Sequence, residues 1–540
     1  YQEFCRILGV DEETIDRNAA TFRMLGMIEG RIYYNLLNWY RMLALLPGYR
    51  INAAFMEQMM GVSERLEETP AIVPSDRNPW LRLGASVYRL IANLSTLPRQ
   101  IDEFQEHLTR TLAPYENRDL RGLLPHELAE VYRLLERELL RRWRVPILND
   151  FYTMVFFGAL KKSVEKLGID GGATLHNDLL SGEGDIVSTE PPRHLRRIAD
   201  AIRDRDGLAD RILAEDPSRA LGLMTDDPAV GPLVREYLDR FGNRYPGELR
   251  LETITPAEQP ELLVAQIATI LRQGSDAPSG DATAAARTRR DAERTVGRAM
   301  RGPLRKALHR WVLGQARVRV RNRENLRFER TRVFAVVRRI FLAFGARLYA
   351  EGVLDDPRDV FFLTKEEVFA WVDGTAVTTD LRALVALRRR EHESHLAARP
   401  DDRFVTWGMV YQGNDFRTGR AAPTIDDAGV LTGTPCSAGV VRAIVRVVRD
   451  PALAPALDGA ILVAERTDPG WVPLFAAAGG LLVERGSLLS HSAIVAREMG
   501  IPAIVAIPGL MDRLVDGELV EMDGGTGIVR RLNDSPEENP

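Results

Sequence analysis

Residues 483–502 read VERGSLLSHSAIVAREMGIP. A short apolar run ends at Val483, a polar loop with one glycine follows, and an apolar-periodic run begins at His491. The order is strand, loop, helix. Ser490 fits the N-cap, which puts His491 in the first helical turn. Unsatisfied N–H groups and the positive end of the helix dipole favour an anion there. They also disfavour a protonated ring, so the imidazole is neutral and nucleophilic. A neutral imidazole beside waiting N–H donors suits a phosphate carrier. Gly486 lets the backbone approach closely, Ser490 and Ser492 offer hydroxyls, and Arg497 would neutralise phosphate if the chain folds back. The competing reading is a histidine that caps a helix and does no chemistry. "LLSHS" is not a G-x-S-x-G elbow, which argues against a serine hydrolase.

The surroundings of this loop are short Val- and Ile-rich runs: AIVRVV, AILVAE, GLLVE, PAIVAI, ELVEMD and GIVRRL. Gly, Pro and Asp punctuate them, so residues 429–532 read as a compact α/β domain. Residues 1–395 have a different texture. Apolar residues recur at spacings of three and four, as in LAEVYRLLERELLRRW and VFAVVRRIFLAFGARLY, which predicts a large, mainly α-helical domain. Within it, 272–287 is small and polar and reads as a flexible loop. Residues 396–428 form a linker, and 533–540 a disordered acidic tail.

Lys plus Arg number 72 and Asp plus Glu 76, a net charge of −4. That balance gives no reason to invoke nucleic acid or an anionic membrane. No apolar run is long enough to span a bilayer. The two cysteines, Cys5 and Cys436, belong to no metal-binding pattern, so no metal site is expected and a reducing cytoplasm fits best.

GTPCSAGVVRAIVRVV (433–448), LVAERTDPGWVPLFAAAGGLLVERG (462–486) and LLSHSAIVAREMGIPAIVAIPG (488–509) resemble the swivelling phosphohistidine domain of the phosphoenolpyruvate-utilising enzymes. This resemblance implies a small β/β/α domain. It also implies that His491 takes the β-phosphoryl group of ATP from an ATP-grasp domain and delivers it to an acceptor. Two positions depart from the family pattern. Ser487 stands where a second glycine is usual, and Leu489 where a threonine is usual. FGNRYPGELRLE (241–252), RENLRFERTR (323–332) and LYAEGVLDDPRDVFFLTKEEV (348–368) resemble the helical part of rifampicin phosphotransferase-like members. Only 49 residues follow His491, too few for the TIM barrel of phosphoenolpyruvate synthase, which favours the rifampicin phosphotransferase arrangement.

Further candidates lie in the helical region. Residues 287–340 hold 18 Arg or Lys against four acids. They read as solvated helix faces with i,i+4 pairs, or as cations that meet a phosphoryl group. Arg323, Glu324 and Arg327 are the best placed, because they lie in the family-like RENLR. Arg244 and Glu248, in NRYPGE, form either a satisfied pair in a turn or a substrate-positioning loop. His176, in a loop, is a weaker candidate for the base of a hydroxyl acceptor. The aromatics of IYYNLLNWY, with Met59 and Met60, suit an apolar ligand but at helical spacing read rather as core.

The sequence therefore predicts a multidomain chain: a large mainly α-helical acceptor domain, then a small β/β/α swivelling phosphohistidine domain. The chain contains no Walker-type loop, and ATP and Mg²⁺ are expected on an ATP-grasp domain or subunit outside it. The expected partner is a small-molecule hydroxyl acceptor, an antibiotic or other natural product. Phosphate transfer to pyruvate, and a non-catalytic binding module with a relic histidine domain, are the alternatives.

Overall fold

The computed structural model describes residues 2–7, 10, 12–17, 23–28, 30–44, 79–169, 174–182, 186–272, 282–398, 430–451 and 454–532. The expected tail and Met59 and Met60 lie outside these residues. So does the expected linker, apart from 396–398, which complete a helix and its cap. The chain divides into two compact units, one of residues 1–54, 64–148 and 336–426, the other of 55–63, 149–335 and 427–540.

The first unit is built mostly of helices. Among them are α1 (Gln2–Ile7), α2 (Glu12–Arg17), α3 (Leu36–Ala44), α4 (Pro79–Glu116), α5 (Pro125–Leu135) and the start of α6 (Arg144–Glu165). An antiparallel hairpin, β1 (Leu25–Ile28) and β2 (Arg31–Tyr34), precedes α3. The mainly helical reading of residues 1–395 did not single it out. Gly30, at φ +69°, takes a left-handed turn that a side chain would resist. Trp39 and Tyr40 are buried edge-to-face with centroids 5.2 Å apart, as expected of core, whereas Tyr34 of the same stretch lies exposed on β2 and is not core.

The second unit takes in the rest of α6 and then α7 (Leu175–Asp178), α8 (Glu190–Arg203), α9 (Leu208–Ala214), α10 (Pro217–Asp226), α11 (Val230–Phe241) and α12 (Glu261–Arg272). Leu195, Ile198 and Ile202 of α8 meet Val234, Tyr237 and Phe241 of α11 and Leu263 and Ile267 of α12 in one core, with Phe328 packed against it. These positions recur at three- and four-residue spacing, which is why the sequence reads as helix. α13 (Ala282–Ala299) takes in residues that the sequence reading assigned to a flexible loop. α14 runs from Pro303 to Ala350, and residues 303–335 of it belong to this unit. The first unit continues with the rest of α14, then α15 (Lys365–Val372) and α16 (Leu381–Ala397). Thr364 caps α15 and exchanges hydrogen bonds with Glu367, the signature of T-x-x-E.

Among the described residues, eight C-terminal strands form one sheet: β3 (Val430–Thr432), β4 (Thr434–Ser437), β5 (Val440–Val447), β6 (Ile461–Ala464), β7 (Gly480–Val483), β8 (Ala503–Val505), β9 (Leu519–Asp523) and β10 (Ile528–Arg531). Their order is β3-β10-β9-β5-β6-β7-β8-β4. β5 to β8 pair in parallel and the flanks antiparallel. β6, β7 and β8 are buried along their whole length, as the inner strands of a sheet covered on both faces must be. Their apolar runs therefore do not alternate. β9 does alternate, burying Val520 and Met522. α17 (Val472–Phe475), α18 (His491–Met499) and α19 (Leu510–Arg513) connect the strands. β3, β4 and α19 were not foreseen from the sequence. Each is only three or four residues long, too short for a periodic signal.

Leu482, at the centre of β7, is fully buried in the core with Ile461, Val463 and Ile504. Leu482→Ala should destabilise this unit by about 2–5 kcal/mol, read from its urea unfolding transition.

Candidate active site

His491 is the first residue of α18. Ser490 precedes it with φ −66° and ψ 157°, and its hydroxyl accepts the N–H of Ala493. The Ser490 and Ser492 hydroxyls lie 3.0 Å apart. Gly486 leaves the loop flush against β8, since a Cβ there would sit 3.1 Å from the Cβ of Val505. Ser487 closes a turn by accepting the Ser490 N–H, and Leu489 is buried in the core. The loop leaves the C-terminal end of β7. Beside it, at the C-terminal end of β6, runs the loop bearing Asp468. Crevices at this end of parallel strands are where α/β folds place ligands.

Within this unit α14 meets the loop. Glu324, 1 % exposed, lies with Oε2 2.8 Å from His491 Nδ1. Burial raises the Glu324 carboxyl's affinity for a proton, but Arg327, His491 and Arg323 outweigh it and hold the carboxyl well below the ordinary range. Arg327 donates to Oε1 at 3.0 Å. An ionised carboxylate only accepts, so the imidazole proton sits on Nδ1. The other ring nitrogen is Nε2. That atom is buried and, among the described residues, has no hydrogen-bond partner. A buried polar atom without a partner is costly and marks a position kept for chemistry.

A second layer supports Glu324. Ser188 donates to Oε2 at 3.4 Å. Arg244 in turn donates to Ser188 at 3.2 Å, to Thr331 at 3.1 Å and to Glu248 at 2.7 Å. Thr331 donates to Glu248 at 2.7 Å, and the Arg244 guanidinium lies over the Phe328 ring. Burial raises the Glu248 carboxyl, opposed by Arg244 and Thr331. Asp468 accepts the Gly247 N–H at 2.7 Å and the Gly470 N–H at 2.9 Å, so one carboxylate joins the two loops. Burial raises this carboxyl as well. Gly470 is required at the contact, because a Cβ would come within 2.0 Å of the Pro246 nitrogen.

Residues 456–527 match the PEP-utilising enzyme mobile domain, and residues 144–324 the rifampicin phosphotransferase fourth domain. The chain is 32 % identical to an uncharacterised protein of Mycobacterium tuberculosis over 356 residues, 66 % of this chain and 38 % of that protein. It is 30 % identical to the rifampicin phosphotransferase of Streptomyces sviceus over 364 residues, 66 % of this chain and 41 % of that protein. It is 35 % identical to the prodigiosin synthesizing transferase PigC of Serratia marcescens over 196 residues, 36 % and 21 % of the two. Two stretches of the chain thus resemble domains of phosphoenolpyruvate-utilising enzymes and of rifampicin phosphotransferase. The chain spans about two fifths of the length of the first two curated relatives. No helix among the described residues is long and apolar enough to cross a membrane.

The structure brings His491, Ser490, Ser492, Glu324, Arg327, Arg244 and Glu248 into one connected cluster. Arg323 pairs instead with Asp150, at 2.9 Å. Arg497 is buried and donates to Asn177 at 2.7 Å and to the Leu488 carbonyl at 3.1 Å, tying the histidine loop to α7. His176 is not on a loop: it lies in α7, 4 % exposed, edge-to-face with Phe157. Its aromatic contact explains its burial. The sequence reading passed over Ser188, Thr331, Asn177 and Asp468. The first three carry no local signature. Asp468 lies in RTDPGW, where an aspartate before proline reads first as a turn residue.

The Glu324 carboxyl is depressed from an ordinary value near 4.5, so it adds stability above that pH and loses it as pH falls. The wild type should exceed Glu324→Gln by roughly 3–5 kcal/mol at neutral pH. That gap should narrow once pH drops below about 4.5, as followed by chemical denaturation across pH.

Proposed function

We propose that His491 carries a phosphoryl group on Nε2 and passes it to a hydroxyl of a small molecule held by the helical body. The observation that carries this reading is the Nδ1–Glu324 hydrogen bond, with the other ring nitrogen, Nε2, buried and, among the described residues, unpartnered. In the first step Nε2 bonds to the β-phosphorus of ATP, on an ATP-grasp domain or subunit, as the α–β phosphoanhydride bond breaks and AMP leaves; water then cleaves the β–γ bond, phosphate leaves, and one phosphoryl group stays on Nε2. In the second, the acceptor oxygen bonds to phosphorus and the Nε2–P bond breaks. The hydroxyl proton passes to Nε2, and Glu324 stabilises the imidazolium until it loses that proton to water. The net reaction takes ATP, acceptor and water to AMP, phosphate and phosphorylated acceptor.

Mg²⁺, bound with the nucleotide, would neutralise phosphate charge in the first step. Within this chain, Ser490, Ser492 and the free N–H groups of the first turn of α18 surround the transferred group. Arg327 supplies positive charge on the far side of Glu324. His491 is 6 % exposed against α14, too enclosed to meet a nucleotide in this pose. Loading therefore requires the sheet domain to leave the helices and return. Its contacts there include Asp468 on the Gly247 N–H, Arg497 on Asn177 and Arg196 on the Ala476 carbonyl, polar contacts of the kind found at transient interfaces. Relatives with different printed names share this framework, so the acceptor is sought among hydroxyl-bearing natural products, rifampicin first. Two buried free cysteines agree with a reducing cytoplasm.

Intact-mass analysis under basic quench tests the reading, using the chain with its ATP-grasp partner, Mg-ATP and rifampicin. One phosphoryl group should appear on wild type and none on His491→Ala. Glu324→Gln should slow transfer by about 10²–10⁴-fold. A phosphorylated His491→Ala would overturn it.

A further inference from the structure

Arg319 breaks the rule that a buried charge is paired. It lies on α14, 2 % exposed. Nη2 donates to Gln315 at 3.0 Å, while Nε and Nη1 are buried and without partners. Among the described residues no carboxylate pairs with it. The ionisable group that faces it is Tyr152, whose hydroxyl burial pushes up to about 12 and so keeps uncharged at neutral pH.

Arg319 is not alone. Asn149 of α6, fully buried, donates through Nδ2 to the Arg319 carbonyl at 3.0 Å, and its Oδ1 has no partner. Thr153 donates to the same carbonyl at 3.2 Å. One turn along α14, Arg323 leaves its Nε buried and unpartnered and pairs through Nη1 with Asp150. Positions 319 and 323 share a helix face. The seam between α6 and α14 thus holds two arginines against one aspartate. Asp150, 41 % exposed, marks its outer edge and Arg319 its floor.

We propose that this seam is an oxyanion-binding subsite, with Arg319 as its base, Arg323 as its second cation and Asn149 Oδ1 as an acceptor for a neighbouring hydroxyl. The ligand class is a carboxylate or phosphate beside a hydroxyl. Arg323 adjoins Glu324 in sequence, so the oxyanion belongs to the acceptor and anchors it one turn from His491's partner. Assigning it to the acceptor rests on the phosphotransfer reading above, but the subsite does not.

The test is thermal unfolding of this chain, wild type, Arg319→Met and Arg319→Lys, alone and with inorganic phosphate or hydroxy acids paired with their neutral amides. An arginine held open for a ligand is a liability in the empty protein. Arg319→Met should therefore raise Tm by about 2–4 °C. Wild type should show a saturable rise in Tm with phosphate or the hydroxy acids but not with the amides. Arg319→Met should lose that rise and Arg319→Lys keep part of it. Response to hydroxy acids identifies the acceptor's own group, and response to phosphate alone identifies free phosphate. A lower Tm for Arg319→Met would show a structural arginine and overturn the proposal. So would a ligand shift that survives in Arg319→Met, or no shift with any probe. The readout needs no phosphotransfer, so failure of the His491 chemistry leaves it unaffected.

Discussion

One hydrogen bond organises the second unit. It joins an imidazole on the first turn of a short helix to a carboxylate on a long one, 167 residues apart in sequence. Each partner is costly to bury alone. Glu324 stays ionised in the interior because Arg327 and His491 surround it, and the ionised carboxylate accepts from Nδ1 and so orients the His491 ring. The rest of the cluster follows from that requirement. Ser188 and Arg244 extend the satisfied network outward, and Arg244 brings Glu248 and Thr331 with it.

The fold supplies the two rigid elements this bond needs. On one side, the parallel strands β6, β7 and β8 are fully buried and end together, so the loops after β6 and β7 rise side by side. On the other, α14 is long enough to present Arg319, Arg323, Glu324 and Arg327 over little more than two turns. Site residues on such elements are held more tightly than on free loops.

Much of this was legible in the sequence for identifiable reasons. The cap at Ser490 and the helix after it carry local signals that tertiary context did not override. Strands β6, β7 and β8 were legible because buried parallel strands concentrate Val, Ile and Leu, and β9 because it alternates. Glu324 was singled out by its motif, but its contact with His491 depends on a long-range encounter that no spacing reveals. His176 misled because a stretch containing glycines and asparagine reads as loop, whereas Phe157 packs it into the interior. The hairpin at Leu25–Tyr34 was missed because four-residue strands offer too few alternations to outweigh helical neighbours.

The close approach of Gly470 to Tyr245 and Pro246 bears on how such proteins diverge and can be recombined. The two loops meet backbone to backbone, with no side chain between them to absorb a mismatch. Any chimera that joins this helical body to a foreign histidine domain must therefore bring a glycine to that place. It must also bring an acid two residues before it to receive the Gly247 amide. The loops 244–248 and 467–471 are thus heritable as a pair, a compatibility code separate from the chemistry of either half.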